Sequence, residues 1–235
     1  MIDFHSHVLP DMDDGAQTAE EGLAMLRESR RQGVELVCAT PHFYADEEDP
    51  ASFLRRRSRA WSALHGAMDR EESWPEIRLG AEVLYFPGMS VAEELRGLTL
   101  EGTPFLLIEP PMMPWSETML EEIEECGAAL RCIPVIAHVD RYMRVLEDNT
   151  LMERLSRRRV LVQFNASAFL RESFREQAMK RLRANQIHFL GSDCHDMDQR
   201  RPNLGDAAAA ICSAGEEEAF TRFHDRIRRA LTAGK

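Results

Sequence analysis

Short apolar runs recur along the chain, and each is followed by a stretch whose apolar positions have helical spacing. Most runs are rich in Ile, Val, Leu and Phe, as strands buried on both faces are. They cover residues 2–5, 36–40, 77–83, 105–108, 135–138, 161–165 and 188–191. Seven strands that alternate with helices predict a parallel sheet covered by helices.

The helical stretches carry their own boundary signals. Thr18 with Glu21 three residues later has the sequence of a capping box, and Gly33 offers a stop for the same helix. A second helix is predicted to follow Asp49 and Pro50. Further helices are predicted at residues 91–96, 116–130, 150–158, 173–185, 205–213 and 216–231.

Side chains able to bind metal ions stand at or just after the carboxyl end of nearly every predicted strand. They are His5, His7, Asp11, Asp13, Asp14, His42, Glu82, Glu109, His138, Asp140, Asn165, Asp193 and His195. A closed barrel of parallel strands brings such ends together on one face, whereas an open sheet spreads them along an edge. His5 and His7, two residues apart, point to the same face of a strand and can share one ion. We therefore expect a barrel-like fold with a metal cluster, and mixed imidazole and carboxylate ligands suit Zn, Mn or Fe.

The composition of the chain indicates which binding partners and which cellular compartment to expect. The formal net charge of the 235-residue chain is 29 − 40 = −11, and so acidic a surface disfavours nucleic acid or a membrane as the main partner. The five cysteines are odd in number and form no C-x-x-C pair, which predicts free thiols in a reducing compartment. We expect a cytoplasmic protein whose residues 1–235 form a single domain, without membrane insertion. The sequence leaves the oligomeric state open.

Several blocks of the sequence resemble the polymerase and histidinol phosphatase (PHP) superfamily. They are Ile2-Asp3-Phe4-His5-Ser6-His7 with Asp13-Asp14-Gly15, Gly80-Ala81-Glu82, Ile108-Glu109, His138-Val139-Asp140-Arg141-Tyr142 and Ser192-Asp193-Cys194-His195. Within that superfamily the chain is most similar to the bacterial manganese-dependent protein-tyrosine phosphatases of capsule and exopolysaccharide loci. The resemblance covers residues 2 to about 205 and implies a distorted (β/α)7 TIM-like barrel.

The resemblance also implies roles for individual residues. His5, His7, Glu82 and Asp193 would hold one metal ion, Glu82 with Glu109 and His138 a second, and Asp14, His42 and His195 a third. Arg141 and Arg200 match arginines that bind phosphate. This chain reads Arg200-Arg201-Pro202 where the family has a single Arg before Pro-Pro, so Arg201 is a candidate for the same role.

These residues predict hydrolysis of a phosphomonoester by water activated at two or three divalent ions. The resemblance implies Mn as the metal, with Fe or Zn as alternatives. The resemblance implies phosphotyrosine in proteins as the substrate, and a bacterial tyrosine kinase of capsule or exopolysaccharide biosynthesis as the partner. Histidinol phosphate or another small phosphoester is the alternative substrate. A non-catalytic metal-binding regulatory module is a more remote alternative.

Two further features of the sequence leave alternatives open. Cys194 and Arg200 fit the C-x5-R pattern of cysteine phosphatases, but the residues between them include two aspartates and no glycine, which disfavours a phosphate-binding loop. Aromatic residues follow several strands and predict either a site for the substrate ring or ordinary loop packing. They are Phe43, Tyr44, Phe86, Trp115 and Tyr142.

Overall fold

The structure, a computed structural model, describes residues 1–148 and 150–232. Its strands are β1 Ile2–Ser6, β2 Leu36–Ala39, β3 His42–Phe43, β4 Glu76–Leu79, β5 Glu82–Leu84, β6 Phe105–Glu109, β7 Ile133–Ile136, β8 Leu161–Asn165 and β9 Phe189–Gly191. Its α-helices are α1 Ala19–Arg31, α2 Pro50–Ala67, α3 Glu117–Ala129, α4 Val139–Val145, α5 Leu151–Ser156, α6 Ser167–Leu170, α7 Glu172–Arg183, α8 Leu204–Ser213 and α9 Glu217–Thr232. Two 3-10 helices span Met89–Val91 and Glu93–Leu98.

The strands are paired in parallel and form a distorted barrel. Two of the seven predicted strands are interrupted, so that β2 continues into β3, and β4 into β5. The order around the barrel is β1, β2/β3, β4/β5, β6, β7, β8 and β9. The chain after β9 returns to β1, where Ser6 pairs with Cys194 and the backbone N–H of Asp193 donates to the His5 carbonyl at 2.8 Å. The predicted barrel architecture is confirmed.

Local signals in the sequence explain where the first two helices begin. The backbone N–H of Glu21 donates to Thr18 Oγ1 at 3.2 Å, and the Thr18 N–H donates to the Glu21 carboxylate at 3.3 Å, which is a capping box. Asp49 caps α2 by accepting from the Ser52 N–H at 2.9 Å, with Pro50 in the first turn.

Three predictions of secondary structure were wrong or incomplete. The α-helix expected at 91–96 is replaced by the two 3-10 helices, which follow Gly88 in a left-handed conformation. Of the second 3-10 helix only Leu95 and Leu98 are buried, so too little apolar surface faces the core to hold a longer α-helix. Helices α4 and α6 were not predicted, because seven and four residues are too short to display a helical period.

Aromatic packing fills the lower part of the barrel. The rings of Phe4 and Phe189 stack with centroids 3.8 Å apart, and Phe105 meets Phe189 edge-on at 5.0 Å. Since β6 lies across the barrel from β1, these rings can meet only inside it. The polar cluster described next therefore lies above a close-packed apolar floor. Among the described residues, no helix is long and apolar enough to cross a membrane.

Candidate metal centre

The nine predicted ligands lie together at the carboxyl ends of the barrel strands. Ligand atoms within 4.8 Å of one another form three overlapping groups, which are His7, Asp14, His42 and His195; His5, His7 and Asp193; and His42, Glu82 and Glu109. His138 joins them, with its Nε2 atom 3.0 Å from Glu82 Oε1 and 3.2 Å from Glu109 Oε1. The resemblance placed His7 only with His5, Glu82 and Asp193, whereas the geometry also brings it close to Asp14, His42 and His195.

Glu82 lies at the centre of the cluster, fully buried. Its Oε2 atom is 2.9 Å from His5 Nε2, 3.3 Å from His7 Nε2 and 3.2 Å from His42 Nδ1, while Oε1 faces His138. Burial by itself raises the pKa of Glu82, but His5, His138 and His7 outweigh it and hold that pKa well below its usual range. The carboxylate is therefore anionic, the form in which it could hold a metal ion.

The interrupted strands put Glu82 in this position. It does not end its strand, as the sequence suggested, but begins β5, where the strand resumes after the break. His42 begins β3 and is the direct cross-strand partner of Glu82. Residues paired in this way have side chains that project to the same face of the sheet, so the breaks bring an imidazole beside a carboxylate.

Two of the candidate ligands have a strained backbone. His138, with φ 30°, and Asp193, with φ 54°, occupy the left-handed region although neither is glycine. Such conformations cost about 1–3 kcal/mol each and persist only where the surrounding structure enforces them. The pairing register of β1 also shifts between Asp3 and Ser6, around His5. Irregular backbone at three points aims side chains into the cluster.

Two glycines allow the ligand-bearing segments to approach closely. A Cβ atom at Gly191 would lie 2.4 Å from His5 Cβ, and a Cβ atom at Gly15 would lie 2.5 Å from His7 Cβ. Real Cβ atoms do not approach so closely. Only glycine lets β9 and the loop after β1 pack against the backbone that carries the two histidines.

Asp13, Gln163 and Asn165 hold the candidate ligands in place, a role that the sequence did not indicate for any of them. Asp13 accepts from His7 Nδ1 at 2.7 Å, which leaves His7 Nε2 directed at the cluster. Gln163 Oε1 accepts from the backbone N–H of His138 at 2.5 Å, and Asn165 Nδ2 donates to Asp193 Oδ2 at 2.8 Å. Asp13 closely follows His7 in the sequence, but this spacing does not show that the two side chains form a hydrogen bond. Gln163 and Asn165 lie two residues apart on β8, so their side chains point to the same face of the strand. This alternation was the signal in the sequence that could have placed both near the cluster.

The three candidate arginines separate in space. Arg141 Nη2 donates to Asp193 Oδ2 at 2.6 Å, and Arg200 Nη2 donates to Asp193 Oδ1 at 2.8 Å, so both border the cluster. Arg201 points elsewhere and donates to Asp206 Oδ2 at 2.9 Å. Arg141 and Arg200 thus share one carboxylate and lie beside the candidate ligands, while Arg201 belongs to the surface near α8.

The donor set fits divalent metal ions. It contains imidazole nitrogens and carboxylate oxygens in close mutual contact, the mixture that transition metals and zinc prefer. His42 Nδ1 and His195 Nε2 are buried without a hydrogen-bond partner among the described residues, and both face carboxylates of the cluster. Each of these nitrogens lies beside a carboxylate oxygen without forming a hydrogen bond, an arrangement that a bound cation would satisfy.

Cys194 and His188 also have side chains capable of chemistry, but the structure gives each of them a packing or hydrogen-bonding role. Cys194 is fully buried, and burial raises the pKa of its thiol, with Asp3 adding to the effect. A cysteine nucleophile needs the opposite, a lowered pKa and access to solvent. His188 accepts from the Val162 N–H at 3.0 Å and joins β8 to β9. The geometry therefore offers Cys194 no role as a nucleophile.

The aromatic residues divide between core and site. Phe43, Trp115 and Tyr142 are buried in the core, which favours the packing alternative for these three residues. Tyr44 is half-buried, and its ring stacks on that of His42 with centroids 5.3 Å apart. Tyr142 also contacts a candidate ligand, with its ring centroid 5.3 Å from that of His138, but it is fully buried. Tyr44 is the more exposed of these two tyrosines.

Comparison with known proteins shows the family to which the chain belongs. A family model described as "Capsular polysaccharide synthesis, CpsB/CapC" matches residues 1–227. The tyrosine-protein phosphatase CpsB of Streptococcus agalactiae is 30% identical over an alignment 245 positions long, which covers 98% of each chain. The tyrosine-protein phosphatase YwqE of Bacillus subtilis is 28% identical over 211 residues, covering 85% of this chain and 79% of its own.

A solved structure has the same fold. It comes from work on YwqE of Bacillus subtilis and CpsB of Streptococcus pneumoniae, described as metal-dependent tyrosine phosphatases, and superposes with a TM-score of 0.82 at 24% identity. The superposition covers 98% of this chain and 94% of that one. From the family match along nearly the whole sequence, the chain belongs to the CpsB/CapC family of capsular polysaccharide synthesis proteins.

Proposed function

We propose that this protein is a metal-dependent protein-tyrosine phosphatase. The observation that carries the proposal is the buried Glu82 carboxylate, surrounded by four imidazoles and bordered by Arg141 and Arg200. Structural metal sites have no use for guanidinium groups beside them, whereas phosphoryl transfer needs both metal ions and anion-binding donors. Its relatives in Streptococcus agalactiae and Bacillus subtilis carry the name tyrosine-protein phosphatase.

The residues of this chain have distinct roles in the proposed reaction. The nine clustered His, Asp and Glu side chains hold two or three divalent ions, with Mn as the proposed metal. Bound ions supply positive charge for the phosphoryl oxygens and lower the pKa of water to about 7, which makes it a nucleophile at neutral pH. Arg141 and Arg200 turn from Asp193 toward the phosphate and clamp its oxygens. Asp13, Gln163 and Asn165 hold the ligands in their geometry.

The aromatic ring of the substrate fits the side of the cluster formed by Tyr44. Because Tyr44 stacks on His42, a phenyl group beside it would lie next to the metal ligands. The proposed partner is a phosphotyrosine protein, namely a bacterial tyrosine kinase of capsule or exopolysaccharide biosynthesis. We further propose that residues 1–235 act as one domain in the cytoplasm, supported by the five free cysteines.

The test compares substrates and metals side by side. The purified protein is stripped with a chelator, reloaded with Mn²⁺, Zn²⁺, Fe²⁺ or Mg²⁺, and assayed on a phosphotyrosine peptide, a phosphoserine peptide and histidinol phosphate. We expect activity only after metal loading, greatest with Mn²⁺, and the highest kcat/KM on the phosphotyrosine peptide. A higher kcat/KM on histidinol phosphate would reassign the substrate, and full activity of the metal-free protein would refute the proposal.

A matched pair of variants separates the cluster from the rest of the barrel. Glu82→Gln keeps the size of the side chain but removes the shared charge, so we expect loss of bound metal and at least about a hundredfold drop in kcat. Glu76→Gln makes the same change on β4 at an exposed position that pairs with Arg78. The second variant should keep both metal content and kcat.

A further inference from the structure

A small cavity adjoins the metal cluster. It has a volume of about 220 Å³ and lies beyond the carboxyl ends of β7, β8 and β9. Its lining includes Arg141 and Arg200, together with Asp193, to which both donate. The cavity is therefore continuous with the place where the substrate phosphate is proposed to bind.

Two more arginines line the outer part of this cavity. Arg144 lies on α4, one turn after Arg141, and Arg171 stands at the amino end of α7. Both side chains are exposed and make no hydrogen bond or ion pair within residues 1–148 and 150–232. In a chain with 40 acidic residues, arginines are usually paired, as Arg154 and Arg158 are with Glu117. Arg144 and Arg171 are available for a ligand.

The charge and polarity of the lining favour an anion. The cavity has four arginines against two aspartates, Asp140 and Asp193, in a chain whose net charge is −11. Asn203 also lines it, and its Oδ1 atom is buried without a hydrogen-bond partner among the described residues. An amide in this situation can turn its NH₂ group to a ligand oxygen.

We propose that this cavity is a second anion subsite, which binds an acidic group of the same peptide beside the phosphotyrosine. Arg144 and Arg171 would take that group, while Arg141 and Arg200 hold the reacting phosphate. A carboxylate of Asp or Glu and the phosphate of a second phosphotyrosine share the required chemistry. The inference rests on the proposed phosphatase function and assigns part of its substrate specificity to residues outside the metal cluster.

The test measures peptide preference. Three peptides differ only around one phosphotyrosine, having neutral flanks, glutamates on either side, or a second phosphotyrosine. We expect about a tenfold higher kcat/KM for the anionic peptides, the size that two exposed charge pairs supply together. The gain should lie in KM, because the subsite does not touch the reacting atoms, and it should shrink as salt is added.

Two double variants identify the residues responsible. Arg144→Ala with Arg171→Ala should bring the anionic-to-neutral ratio of kcat/KM close to one. Arg157→Ala with Arg222→Ala removes the same charge from exposed positions just after α5 and on α9 that do not line the cavity, and should keep the wild-type ratio.

The outcomes distinguish this inference from the proposed function. If the enzyme hydrolyses all three peptides with equal kcat/KM, or if the Arg144 and Arg171 variant keeps the preference, the subsite is refuted and the phosphatase function stands. If none of the peptides is hydrolysed by the Mn²⁺-loaded protein, both are refuted. The ratio between the glutamate and the doubly phosphorylated peptides shows which anion the subsite prefers.

Discussion

Asp13 offers the sharpest test of how the metal cluster is held. Its carboxylate is almost fully buried and accepts three hydrogen bonds, from His7 Nδ1 at 2.7 Å, the His42 N–H at 2.8 Å and the Gly15 N–H at 2.9 Å. The first two reach Oδ2 and the third reaches Oδ1. One side chain thus orients the imidazole of one ligand and anchors the backbone of another. We predict that Asp13→Asn weakens metal binding without unfolding the protein.

The expected loss of metal affinity follows from the hydrogen bonds that Asp13 accepts. If the new NH₂ group replaces Oδ2, it faces two donors and two hydrogen bonds are lost. If it replaces Oδ1, the bond to Gly15 is lost and His7 keeps only a neutral acceptor, which is about half as strong as a charged one. Removing a partner of this kind costs about 10–100-fold in metal affinity or activity. At 1.36 kcal/mol for each factor of ten, that is about 1.4–2.7 kcal/mol.

The assay titrates Mn²⁺ into the metal-stripped protein and records phosphatase activity at each concentration, with metal content determined separately. The half-saturating Mn²⁺ concentration should rise, and excess Mn²⁺ should restore part of kcat. Asp11→Asn is the control, since it makes the same change in the same loop, at an exposed position whose φ of 57° asparagine tolerates. A wild-type Mn²⁺ titration for Asp13→Asn, within twofold, would refute the argument.

Other predictions concern the arginines, the thiol and the glycine packed beneath the cluster. Arg200→Ala should lower kcat/KM by about 10²–10³-fold, because a hydrogen-bond donor to the transition state is lost. Arg201→Ala should change kcat/KM less than twofold. Equal effects of the two variants in steady-state assays would contradict the geometry. Cys194→Ser should lower the melting temperature but leave kcat within a few-fold, and a dead variant with normal metal content would overturn the mechanism. Gly191→Ala should lower the free energy of unfolding by about 1–3 kcal/mol and also reduce the amount of bound metal, because the new methyl group displaces His5. Denaturant titration measures the first effect, and metal analysis measures the second.

Much of the barrel was predictable from local patterns. Buried parallel strands show as uninterrupted apolar runs, and helices begin at caps such as Thr18 and Asp49, so both can be recognised from a few neighbouring residues. The same locality explains the errors. Helices α4 and α6 are too short to show a period, and the segment near Leu95 has helical spacing without enough apolar surface to hold an α-helix.

The set of polar residues at the strand ends was also predictable, because parallel strands of a barrel must present their carboxyl ends on one face. Sequence alone therefore assembled His5, Glu82 and Asp193 as candidates although 77 residues separate the first two. Their contacts were not predictable. The breaks that pair His42 with Glu82, and the left-handed backbone at Asp193, are produced by packing between distant segments.

Tertiary structure alone separated neighbours that the sequence could not distinguish. Arg200 and Arg201 have the same chemistry and adjacent positions, yet the first borders the cluster and the second pairs with Asp206. Asp13 and Asp14, which only the family resemblance had told apart, also divide, with Asp13 orienting the His7 imidazole and Asp14 facing the cluster. Composition and spacing determine which groups lie near the site. The direction of each side chain depends on the turn of its loop, which is set by contacts with segments far away in the chain.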